Sequence, residues 1–142
     1  MSLKVPYQKY PDPQAIDGFF YVAAIPVSIG LPAKNSPRSK RFEAIIDSGA
    51  SQCIFHASIG RAIGLDIEKG RSATTQGIAG PVKLYLHDIS LHAPGGIVSA
   101  RAGFSDSLPV AGLLGMAGFF ENFNITFNPI ALCVELERLY RA

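Results

Sequence analysis

The stretch Ile45-Ile46-Asp47-Ser48-Gly49-Ala50 runs a short apolar strand straight into a turn that carries a carboxylate. The strand begins at Phe42, and the aspartate sits just outside its hydrophobic end. Gly49 has no Cβ, so it lets the backbone bend and another segment come close. After the turn, Ala50-Ser51-Gln52-Cys53-Ile54-Phe55 returns to an extended apolar pattern. Further along, Ala111-Gly112-Leu113-Leu114-Gly115 reads as a second buried strand flanked by glycines.

Outward from these two segments the chain reads as strands and turns. Phe19–Ile29 is rich in β-branched and aromatic residues, with Pro26 removing one ladder donor and marking an edge or a bulge. A proline- and serine-rich loop, Leu31 to Ser39, leads to the Phe42–Ile46 strand. Ala57–Gly64 has helical spacing: Ser58 is placed to cap it, Ile59 and Ile63 share a face, and Gly64 is placed to end it. Val82–His87 alternates with period two, as a half-buried strand does. It follows Thr74-Thr75-Gln76-Gly77-Ile78-Ala79-Gly80, so the pair predicts a hairpin with a Gly-bounded tip. Val98–Phe104 is a strand after the Pro94-Gly95-Gly96 turn, and Met116–Asn122 is expected as a brief helix. Phe123–Phe127 and Leu132–Leu136 form a closing hairpin around Asn128-Pro129. Residues 1–17, with Pro6, Pro11 and Pro13 and no periodicity, are expected as an extended arm or a disordered tail, and residues 18–142 as one domain. Many short strands with one or two short helices predict an all-β, closed, barrel-like fold.

The Asp47-Ser48-Gly49 turn, the Leu113-Leu114-Gly115 segment and the order of the pieces around them resemble the retropepsin-like aspartic proteases, in their bacterial and cellular branch, across roughly residues 19–137. The resemblance implies a single-domain retropepsin-like barrel that acts as a two-fold homodimer, since this chain has one such aspartate loop. Asp47 is then the catalytic carboxyl, the Gly49 amide supports it, and the Ser48 hydroxyl reaches to the opposite loop. Gly77, Ile78, Ala79 and Gly80 become the tip of a flap that closes over an extended peptide. Ala50, Leu113 and Leu114 join them as substrate-binding positions, with Gly112–Gly115 threading behind the catalytic loop. Two features depart from the retroviral pattern. An acidic residue and an arginine that pair within a subunit in many retroviral members are here Ser51 and Met116. Both partners are absent together, so no lone charge is left buried.

The chemistry that this site implies needs no metal and no cofactor. Two carboxyls about 3 Å apart cannot both ionise, so they share one proton. The ionised member takes a proton from a water while the protonated one polarises the scissile carbonyl. Ser48 is not a serine-hydrolase nucleophile, because its surroundings are not Gly-x-Ser-x-Gly. Cys53-Ile54-Phe55-His56 lacks the second matched pair of a metal site, and His87 and His92 read as ordinary core and surface residues.

Composition bounds the rest. The 142 residues suit one domain with a real core, and 48% hydrophobic against 17% charged content accommodates a self-association surface as well. A net charge of +2 gives no reason to expect nucleic acid or a membrane surface as partner. Lys34, Arg38, Lys40 and Arg41 cluster among prolines and serines, most simply as a solvated loop. Cys53 and Cys133 are expected as free thiols buried in strands, in a reducing, cytoplasmic setting. The opening Met1–Pro6 has no apolar signal-peptide core. The expected function is an aspartic endopeptidase acting on extended segments. The alternatives are a non-catalytic dimeric peptide-binding domain of the same fold, or a regulatory domain of a longer protein.

Overall fold

The computed structural model describes residues 2–77 and 80–140. Among these described residues, twelve strands carry the fold. They are β1 (Ser2–Pro6), β2 (Gln8–Pro11), β3 (Phe19–Val22), β4 (Ala24–Gly30), β5 (Phe42–Ile46), β6 (Ile54–His56), β7 (Arg71–Gly77), β8 (Gly80–Ala93), β9 (Gly96–Ser105), β10 (Gly112–Leu114), β11 (Phe123–Asn128) and β12 (Cys133–Arg138). An α-helix, α1 (Ala57–Ala62), follows β6, and a 3-10 turn covers Ile67–Lys69.

The main sheet runs β4-β5-β10-β6-β9-β8-β7, and β4 also pairs with β8, so six strands close into a ring with β7 outside it. Closure removes the unpaired edges that an open sheet would expose. The core inside is apolar: Ile25, Ile29, Phe55, Leu84, Ile89, Leu91, Phe104 and Leu114 have essentially no exposed surface. β4 is buried along almost its whole length, because both of its faces are covered. Pro26 lies opposite Glu43 in the β4–β5 ladder.

The terminal segments form a second sheet, β1-β12-β11, with Leu3 opposite Leu136 and Val5 opposite Val134. Residues 2–11, within the segment read from sequence as an arm or tail, therefore pair with other parts of the same chain. β2 and β3 make a separate two-stranded ribbon in which Tyr10 stacks on Phe20 at 5.2 Å between ring centres and Lys9 lies over the Phe19 ring at 3.8 Å.

Three local expectations are corrected. Ser58 does not cap α1. His56 does, its Nδ1 accepting from the Ser58 amide at 3.1 Å, with the Ser58 hydroxyl 2.8 Å from the same nitrogen. Gly64, at φ +95°, takes the left-handed conformation past the helix end that L side chains disfavour. Met116–Asn122 is a run of turns rather than a helix. Gly118 has φ +94° inside it, and the Phe120 and Glu121 amides reach back five residues to the carbonyls of Gly115 and Met116. Cys53 lies one residue ahead of β6 and is fully buried, whereas Cys133, in β12, is half-buried. Both are free thiols.

Candidate active site

Asp47 follows the last residue of β5, and three backbone contacts fix where it points. β5 runs parallel to β10, with Ile45 beside Leu113 and Ile46 beside Leu114. At the end of that ladder the Asp47 amide donates to the Leu114 carbonyl at 2.9 Å, while the Ile46 amide donates to the Ala23 carbonyl at 2.9 Å. The chain then turns: the Ala50 amide donates to the Asp47 carbonyl at 3.1 Å, and the Gly49 amide donates to Asp47 Oδ1 at 2.9 Å. Among the described residues the Gly49 amide is the carboxylate's hydrogen-bond partner. The carboxylate-bearing residue is half-buried, and Ser48 and Gly49 are exposed at the crown of the turn.

The loop is held from behind by the segment after β10. The Met116 amide donates to the Ala50 carbonyl at 2.9 Å and the Ala117 amide to the Ser51 carbonyl at 3.0 Å. Gly115 lies under both strands of this clasp. A Cβ there would sit 2.3 Å from the Gln52 carbonyl oxygen and 2.6 Å from that of Ala50, so any other residue would force the loop backbone to shift. At Gly49, by contrast, an added Cβ would meet only Asp47 Oδ1, at 3.2 Å. That position is open towards solvent within this chain.

The structure thus brings together Asp47, Gly49, Ala50, Leu114 and Gly115. Leu114 is fully buried, so its contribution is its carbonyl. Leu113, on the opposite face of β10, is half-buried. The Gly-bounded hairpin is present: β7 and β8 pair from Arg71–Leu86 out to Gly77–Gly80, whereas β9 pairs with β8 only from Tyr85 onward. The outer part of the ribbon therefore stands beyond the ring, with Gly77 and Gly80 facing each other at φ +122° for Gly80. Ile78 and Ala79 lie outside the described residues.

The clasping amides of Met116 and Ala117 escaped the sequence reading. Any residue but proline can supply a backbone donor, so nothing in their side chains marks them. Cys53, beneath the loop, donates to the Ala117 carbonyl at 3.6 Å, and burial pushes its thiol up to about 11. It is held as the inert neutral thiol. His87 Nε2 lies 2.9 Å from the Ile67 carbonyl, a structural contact. Among the described residues no three His, Cys, Asp or Glu side chains gather where they could hold a metal ion. No described helix is long and apolar enough to cross a membrane.

Comparison with known proteins agrees with this geometry. The aspartyl protease family profile matches residues 32–117, which include the Asp47 turn, the β7–β8 ribbon and the Leu113-Leu114-Gly115 segment. The chain belongs to the aspartyl protease family. A retropepsin-like aspartic protease from Rickettsia conorii superposes with a TM-score of 0.62 at 15% identity, covering 96% of this chain and 98% of that one. The EIAV protease complexed with the inhibitor HBY-793 aligns at a TM-score of 0.49 and 18% identity, over 66% of this chain and 81% of that one. No curated protein sequence matches. The fold is retropepsin-like: mostly β, a single domain with a ring of strands and one short α-helix.

Proposed function

We propose that the protein is an aspartic endopeptidase that works as a homodimer, with one Asp47 from each subunit at a shared centre on the two-fold axis. The observation that carries this reading is the presentation of Asp47: a carboxylate at the end of an inner strand, pinned by the Leu114 carbonyl, supported by the Gly49 amide and backed by Gly115. A mere peptide-binding domain has no need of a carboxylate so held, which disfavours the non-catalytic alternative. Exposed apolar side chains that a partner subunit would cover include Met116, immediately after the clasp, and Leu3 and Phe127 of the terminal sheet.

In the reaction the two carboxyls hold one proton between them. The ionised one removes a proton from a water, whose oxygen attacks the peptide carbonyl carbon. The protonated one gives its proton to the carbonyl oxygen, leaving a neutral tetrahedral diol. Return of a proton to the amide nitrogen lets the C–N bond break, giving a carboxylic acid and an amine. Gly49 keeps the ionised carboxylate in place through its amide, and Ser48 reaches across to the partner's loop.

The extended substrate lies between Ala50 and Leu113 on one side and the Gly77–Gly80 flap on the other, Ile78 and Ala79 included. Backbone groups of the flap then bind it as an added strand. Leu114 serves from behind, through its carbonyl. The proposal is tested by Asp47→Asn, which removes the base but keeps the volume. Cleavage of an unfolded polypeptide should vanish while the fold, followed by circular dichroism, stays intact. Residual cleavage by the variant would place the chemistry elsewhere.

A further inference from the structure

A solvent-open cavity of mixed polar and apolar lining lies away from Asp47, at the turn that joins β4 to β5. It measures about 480 Å³ and is lined by the Leu31–Ser36 segment together with Arg38, Ser90, His92 and Ile97. That size falls within the range of small-molecule sites. The loop is built rather than slack: the Ser36 hydroxyl donates to the Leu31 carbonyl at 2.9 Å, the Ser36 amide to the Ala33 carbonyl at 3.2 Å, and Ser39 closes the base through both backbone and hydroxyl to Ile29.

The charges in this cavity are of one sign. Lys34 and Arg38 line it, and among the described residues no carboxylate does. Arg38 Nη1 lies 3.1 Å from His92 Nδ1. A guanidinium can only donate, so Nδ1 is the acceptor and the ring proton sits on Nε2, 3.3 Å from the Ser90 hydroxyl. Ser90 accepts that proton and has its own hydrogen left to donate. The groups facing His92 are Ser90 on its own strand, Ser28 opposite on β4, Ile97 opposite on β9, and Lys34, Ser36 and Arg38 from the loop. Asp88, further along the same face of β8, is engaged by Arg101 at 3.0 Å. Burial, and then the Arg38 charge, lower the His92 pKa below its ordinary value.

We propose that this cavity binds a doubly charged oxyanion, the phosphate of a phosphomonoester, and that binding protonates His92. The anion takes the Arg38 fork, the Lys34 ammonium and the Ser90 hydroxyl, whose charge and donor chemistry suit a phosphate dianion. Its negative charge lets His92 accept a proton on Nδ1 once Arg38 turns from the ring to the anion. The apolar side of the cavity, Leu31, Pro32 and Ile97, takes the organic group.

Titration calorimetry on the full chain tests this, with three probes: sulfate, inorganic phosphate and phenyl phosphate. Sulfate keeps its charge across the range, so it should bind at least about tenfold tighter at pH about 6 than at pH about 8, with proton uptake. At the higher pH phenyl phosphate should bind more tightly than inorganic phosphate. Arg38→Met and Lys34→Met, both at exposed positions, should each weaken binding about tenfold, and His92→Gln should abolish the pH dependence. Affinity unchanged in both cation variants, or equal for sulfate at the two pH values, would overturn the site. Phenyl phosphate no tighter than inorganic phosphate would overturn the organic ligand. None of these readouts depends on proteolysis.

Discussion

The amide of Asp47 donates to the carbonyl of Leu114 at 2.9 Å, at the end of the parallel pairing of β5 with β10. Two segments nearly seventy positions apart in the chain thereby set the direction of one carboxylate. The aspartate itself needs no unusual backbone. Its position follows from a strand on each side and from the glycine beneath, which lets the returning loop pass within contact distance.

Gly115 is where that arrangement is least tolerant. In Gly115→Ala the added Cβ would press on two carbonyl oxygens of the loop, at 2.3 Å and 2.6 Å, neither of which is a flexible side chain. The loop must shift, and the expected loss of stability is about 3 kcal/mol. Urea denaturation should show it, and cleavage should fall with it. A variant as stable and as active as the parent would show that the clasp does not position the loop.

The side chain at position 50 should set the acidic limb of the pH profile. Ala50 offers no hydroxyl to the carboxylate that precedes it in the turn, so the ionised form lacks one donor. If the proposed dimer forms, the optimum for cleavage should be only mildly acidic. Ala50→Ser supplies the donor and favours the ionised form, so the acidic limb should move to lower pH. A limb that stays in place would show that residue 50 does not reach the carboxyl pair.

Glu43, on the strand that leads to Asp47, has a buried Oε2 with no hydrogen-bond partner among the described residues. Burial raises its pKa above the usual carboxylate value, and the Arg41 charge only partly opposes this. The folded state therefore holds the proton to higher pH than the unfolded state does. It follows that Glu43 costs stability at neutral pH, and that this cost fades as pH falls through the folded pKa towards about 4.5. Glu43→Gln should raise stability at neutral pH by about 1 kcal/mol, with the gain shrinking on acidification. Thermal melts at both ends of that range check it. A gain independent of pH, or a loss, would contradict the account.

Much of this was legible in the sequence. The apolar lead-in to Asp47, the period-two pattern of Val82–His87 and the glycines around Leu113-Leu114 each have a local physical signature. What stayed hidden depends on partners distant in the chain. Closure of the ring through Ser28 and His92 has no local mark, nor has the pairing of Leu3 with Leu136. β2 carries no alternation because neither face of its ribbon packs on the core. The residues 116–122 look helical by composition, but Gly118 at φ +94° and the hydrogen bonds to the clasp override that tendency. His56 as a cap was missed because its imidazole nitrogen stands in for the usual serine or aspartate oxygen.

The central claim is that each active centre needs an Asp47 from two subunits, and mixing tests it most directly. Asp47→Asn protein, shown to fold and to exchange subunits, is added in rising excess to a fixed amount of the unmodified protein. Every mixed dimer then holds a single carboxylate. Activity should fall well below its starting level after time for exchange, while an inert protein at equal mass leaves it unchanged. Activity that stays constant despite demonstrated exchange would mean that each subunit works alone, and the two-aspartate account would be wrong.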